Sequence, residues 1–138
     1  MPTSLTRVVG FRATHRFWLP DWPAERNHST FGPLTEPHEH RYTCRVTVGG
    51  GLDPRTGMLV DLGLLDRILE EEILTPFEGR DLNRDVLAFA HGAPLPTCEA
   101  LARYLFARLT PRIPKGARLE RVAVEEDPTL SGECTGLE

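Results

Sequence analysis

Two histidines one residue apart, His38 and His40, lie in the stretch FGPLTEPHEHRY, and a third, His15, closes the stretch FRATH. In an extended strand the side chains at i and i+2 leave the same face. His38 and His40 can therefore reach one ion, and His15 on a neighbouring strand could supply a third imidazole. Three imidazoles with one open position are the donor set of catalytic zinc, which polarises a bound oxygen or activates water. The pattern H-x-H by itself does not separate a ligand pair from two hydrogen-bonded histidines near a strand end. Their surroundings sharpen the choice, because each of the three falls on the apolar side of its segment. A carboxylate, Glu126, closes an apolar row in VAVEE in the same manner; the alternative for it is a solvated acid at a strand end.

The elements that must carry these groups follow from the same alternation. Val9, Phe11, Ala13, His15 and Phe17 alternate with Gly10, Arg12, Thr14 and Arg16, the period of a half-buried strand. From His38 to Val48 the pattern returns, with Tyr42, Cys44 and Val46 on the histidine side and Glu39 on the other. Between Asp61 and Leu74 the spacing changes to threes and fours, through Leu64, Leu65, Ile68, Leu69, Glu72 and Ile73, which predicts a helix capped by Asp61. TCEALARYLFARL predicts a second helix, capped by Thr97, striped by Leu101, Leu105, Phe106 and Leu109, and stopped at Pro111. LERVAVEE and SGECTGL read as two closing strands. Strand, strand, helix, helix, strand, strand (ββααββ) predicts an α+β domain: an antiparallel four-stranded sheet with both helices on one face.

Composition narrows the partners. The 138 residues suit a single domain spanning 1–138. A net charge of -4 gives no electrostatic case for nucleic acid or an acidic lipid surface. MPTSLTRVVG lacks the apolar core of a signal peptide, and no apolar run approaches the roughly 20 residues of a membrane span, so a cytoplasmic protein is expected. Cys44, Cys98 and Cys134 form no C-x-x-C pair and read as free thiols.

Taken in order, FRATH, FG followed by HEHRY, GLDPRTGMLVDL, RDLN, PTCEALA and VAVEED resemble the 6-pyruvoyltetrahydropterin synthase and 6-carboxytetrahydropterin synthase family, zinc enzymes of the tunnelling fold acting on 7,8-dihydroneopterin triphosphate. The likeness runs along nearly the whole chain. It implies that His15, His38 and His40 hold zinc, that Glu126 grips the amino-pyrimidine edge of a pterin, and that Thr97 and Cys98 line the pterin pocket. It also implies sheets closed into a barrel by oligomerisation, as a homohexamer built from two trimers with the site between subunits.

The acid–base residues depart from the family pattern. Leu34 stands at the position of the family's cysteine base, and Glu78 and Gly79 stand where it carries an Asp-His pair. Some members use a glutamate at the third position before H-x-H; here that position is Thr35, and the adjacent Glu36 is the candidate base. Arg41, Arg45 and Arg80 either meet phosphates or are solvated surface charge, and His28 and His91 read as surface histidines. Two readings follow: a zinc-dependent lyase acting on a small-molecule pterin with altered acid–base residues, or a catalytically degenerate pterin- or purine-binding zinc protein.

Overall fold

The computed structural model describes residues 2–136. Its sheet has five strands, β1 (Ser4–His15), β2 (His38–Gly50), β3 (Arg80–Asp81), β4 (Ala117–Asp127) and β5 (Leu130–Cys134), ordered β3-β1-β2-β4-β5. The four long neighbours pair antiparallel, as the alternation predicts. The sheet is nevertheless mixed, because β3 pairs parallel with β1 at Ala13 and Thr14. This corrects the four-stranded, purely antiparallel expectation. A strand of two residues has no side-chain period to reveal it; backbone pairing at the β1 edge makes it. There Glu78 Oε2 accepts from the Arg12 N–H at 2.7 Å and the Gly79 N–H donates to the Arg12 carbonyl at 2.7 Å. Gly79 adopts φ +71°, a left-handed conformation that a side chain disfavours.

One face of the sheet is buried by helices. α1 (Ala24–Phe31) lies between β1 and β2; α2 (Leu62–Leu69), α3 (Thr75–Phe77), α4 (Leu82–Asp85) and α5 (Cys98–Leu109) follow β2. A π turn over Glu70–Leu74 joins α2 to α3, so the predicted helix runs past Leu74 to Phe77. Leu65, Ile68, Leu69, Ile73 and Phe77 from this rod, with Leu101, Leu105 and Leu109 from α5, pack in one core with Phe11, Tyr42, Cys44, Val46, Val48, Val122 and Val124 of the sheet. Both predicted caps are in place: Asp61 Oδ1 accepts from Leu64 N at 3.1 Å and Thr97 Oγ1 from Ala100 N at 3.1 Å. Glu72, which falls on the apolar stripe, is buried without being idle. It accepts from Arg108 Nε at 3.0 Å and Arg112 Nη1 at 3.2 Å, which ties the π turn to the end of α5.

Three boundaries differ from the periodic reading. β1 starts at Ser4, ahead of the alternation: Leu5 and Val9 pack against the core, while Arg7 between them and Val8 are exposed. It ends at His15, so Phe17 lies beyond it. The last strand covers Leu130–Cys134 rather than continuing from Ser131 through Gly136; Leu137 lies outside the described residues. Helix α1 has no sequence signature, since its one buried side chain is the polar Asn27. That amide accepts from Leu19 N at 2.8 Å and donates to Leu19 O at 3.0 Å, fastening α1 to the segment leaving β1. Among the described residues, no helix is long and apolar enough to cross a membrane.

Candidate functional site

Antiparallel register brings the histidines together. His15, the last residue of β1, lies directly opposite His38, the first of β2, and His40 lies opposite Ala13 on the same face. Ring centroids are 4.5 Å apart for His15–His38 and 5.0 Å for each of the other two pairs. One ligand atom from each ring falls within 4.8 Å of the other two.

Backbone carbonyls decide which nitrogens are available. The His15 Nδ1 lies 2.9 Å from the Pro96 carbonyl and the His38 Nδ1 lies 2.8 Å from the Glu36 carbonyl. A carbonyl can only accept, so both Nδ1 atoms carry the hydrogen and both Nε2 atoms keep a lone pair. The Nε2 atoms of His15 and His40 are buried without a hydrogen-bond partner among the described residues. Unsatisfied buried nitrogens are costly, and a divalent cation among three imidazoles would satisfy them. Burial also pushes the pKa of His15 down, assisted by His38 and His40 and opposed by the Pro96 hydrogen bond. Its neutral, ligating form is thereby favoured.

Next to the histidines stands a carboxylate. Glu126 Oε2 approaches His40 Nε2 to 3.1 Å without the alignment of a hydrogen bond. The other oxygen, Oε1, accepts from Cys98 Sγ at 3.3 Å. The Cys98 thiol is pushed up to about 12 by burial and by its bond to Glu126, so it is a protonated donor rather than a thiolate. Thr97, one residue earlier, spends its hydroxyl on the α5 cap and also lines a groove of about 660 Å³ with Glu99, Arg103, Tyr104 and Glu133. None of the three histidines lines that groove. The histidine cluster and this groove are therefore separate features of the chain.

The remaining candidates divide. Leu34 is 44% exposed and holds Phe17 N through its carbonyl at 2.8 Å. Glu36 is exposed, with its own carbonyl on His38, which puts its backbone beside the histidines. Glu78 turns to the Arg12 peptide at the sheet edge. Arg45 lies 3.6 Å from Glu125. Glu39 is exposed on the face opposite the histidines. Sequence reasoning missed the orienting groups: the carbonyls of Pro96 and Glu36 and the Tyr42 hydroxyl, 3.2 Å from His15 Nδ1. Carbonyls leave no trace in a sequence, and Tyr42 reads there as core.

Comparison with known proteins is consistent with this geometry. A family model described as 6-pyruvoyl tetrahydropterin synthase matches residues 4–136. The human 6-pyruvoyl tetrahydrobiopterin synthase is 36% identical over 128 residues, 91% of this chain and 87% of the relative. Its Drosophila melanogaster counterpart is 32% identical over 126 residues, 90% of this chain and 74% of the relative. The solved Caenorhabditis elegans 6-pyruvoyl tetrahydropterin synthase superposes with a TM-score of 0.90 at 29% identity, covering 99% of this chain and 97% of that one. A Plasmodium vivax structure, at 12% identity and a TM-score of 0.68, covers 97% of each chain and shares the fold.

Proposed function

The chain belongs to the 6-pyruvoyl tetrahydropterin synthase family, and we propose that it is a zinc-dependent lyase acting on 7,8-dihydroneopterin triphosphate or a closely related pterin. The observation that carries this reading is the convergence of three inward-facing imidazoles and the Cys98-held carboxylate of Glu126 at one end of the helix-covered face. His15, His38 and His40 would hold the ion, and their orphaned nitrogens suit it. The chemistry zinc supplies when bound there is Lewis-acid polarisation of the substrate's side-chain oxygens.

The chain's own residues do the rest. Glu126 accepts two parallel N–H bonds from the amino-pyrimidine edge, a charge-assisted pairing that fixes the ring's orientation. Thr97 and Cys98 begin the helix that flanks it. Glu36 takes the carbon-bound proton of the substrate side chain, and the triphosphate leaves with the electron pair of its carbon–oxygen bond. The sheet's free edges support assembly into a barrel, a homohexamer of two trimers, since a paired edge is a protected one.

A second reading, a pterin-binding zinc protein without turnover, is favoured by one set of residues: Leu34 has no ionisable group, Glu78 is committed to the Arg12 peptide, and Gly79 has no side chain. One experiment separates them. Protein prepared with zinc is assayed for metal content, for mass by light scattering, and for triphosphate release from 7,8-dihydroneopterin triphosphate. Stoichiometric zinc with release is expected; zinc and pterin binding without release establishes the second reading. Absence of zinc at the triad in anomalous scattering, or a stable monomer at micromolar concentration, refutes the corresponding part.

A further inference from the structure

We propose that the Tyr42 hydroxyl is a positioning group for the metal centre: it braces His15 in its ligating tautomer. The inference rests on the metal reading of the histidine triad and adds a residue to it. Tyr42 is wholly buried, and its ring stacks on Phe11 with centroids 5.0 Å apart and planes 14° from parallel. Its ring also meets His15 and His40 edge-on, at 6.0 and 5.7 Å. A ring so enclosed has little freedom to turn, so its oxygen is a fixed point.

Proton accounting at His15 Nδ1 shows what that point does. The Pro96 carbonyl, 2.9 Å away, can only accept, so Nδ1 carries a hydrogen and cannot accept one from the phenol 3.2 Å away. The Tyr42 oxygen is therefore a second acceptor for the same N–H. Its own hydrogen remains free to be donated elsewhere. Pro96 and Tyr42 thus grip the imidazole from two elements, the segment before α5 and strand β2. Partners of this kind fix the tautomer and the ring angle of a metal ligand, and losing one costs about 10- to 100-fold in metal affinity.

The test compares Tyr42→Phe with Tyr104→Phe, a control on the other tyrosine, which packs between Phe77 and Phe89. Zinc affinity is measured by competition with a chromophoric chelator, and the visible spectrum of the cobalt(II)-substituted protein reports ligand geometry. Tyr42→Phe is expected to bind zinc at least about tenfold more weakly and to shift the cobalt bands, with Tyr104→Phe matching wild type. Unchanged affinity and an unchanged spectrum in Tyr42→Phe overturn the proposal, as does an equal loss in Tyr104→Phe, which would report general loosening. Should Tyr42→Phe fail to fold, nitrogen-15 NMR of the zinc-loaded wild type decides. A His15 Nδ1 proton with a cross-peak to the Tyr42 hydroxyl is expected, and its absence overturns the proposal. A wild type that binds no zinc at all brings down the triad reading itself, and this inference with it.

Discussion

Glu126→Gln removes a charge while keeping the shape, and the geometry around Glu126 sets the size of the effect. Its side chain is only 11% exposed, so water screens it little. Cys98 donates to Oε1, and the glutamine oxygen can keep that bond. The amide nitrogen must then occupy the other position, turning an acceptor into a donor that faces a pterin N–H. One charge-assisted hydrogen bond is lost, worth about 1.5–3 kcal/mol. That converts to a Kd raised by about 10- to 150-fold. Calorimetry with 7,8-dihydroneopterin on zinc-loaded protein measures it, with zinc content determined in parallel and expected to be unchanged. An unaltered Kd would refute the carboxylate clamp. Loss of zinc alongside pterin affinity would refute the division of labour, because it would make Glu126 part of the metal's own support.

Glu36→Gln is expected to lower triphosphate release by about 10²- to 10⁴-fold while leaving the calorimetric Kd for 7,8-dihydroneopterin unchanged, and undiminished turnover would dismiss Glu36 as the base. In zinc-free protein, the lowered pKa of His15 makes stability depend on pH. The unfolded chain begins to bind this proton as pH falls through about 6.5 while the folded chain does not, so this contribution is complete above that value and is lost as pH falls toward the folded pKa. Urea midpoints between pH 7.5 and 5.5 should fall more steeply for wild type than for His15→Asn, and parallel slopes would exclude His15 as the source. Glu72→Ala leaves two arginines without their buried acceptor; because Arg108 and Arg112 are 52% and 35% exposed, the cost is held to about 1–3 kcal/mol. The denaturation midpoint should drop without a change of slope, and an unmoved midpoint would contradict the tie between the π turn and α5.

Periodicity made the long elements legible from the residues alone. Alternation over β1, β2 and β4 placed His15, His38, His40 and Glu126 on apolar faces, because a strand's period of two assigns every side chain to one of two sides. Spacing by threes and fours, with Asp61 and Thr97 as caps, did the same for α2 and α5. Those local rules act within one segment, which is why they survive without the fold. Elements held by backbone or polar contacts escaped: α1, anchored by the single amide of Asn27, and β3, made by pairing at the edge of β1.

Tertiary structure alone decided the relations between segments. The register that sets His15 opposite His38 depends on how β1 and β2 meet, and a slip of one residue would send the histidines to opposite faces. It also decided that the Pro96 carbonyl, 81 residues along the chain, points at His15 Nδ1, and that Cys98 meets Glu126 across 28 residues. Glu78 shows the same limit from the other side: its residue type suggests an acid–base role, whereas folding commits it to the Arg12 peptide. Residue type and period are properties of a segment, so the sequence determined which groups share a face; the direction of a lone pair depends on distant backbone, and only the folded chain supplies that.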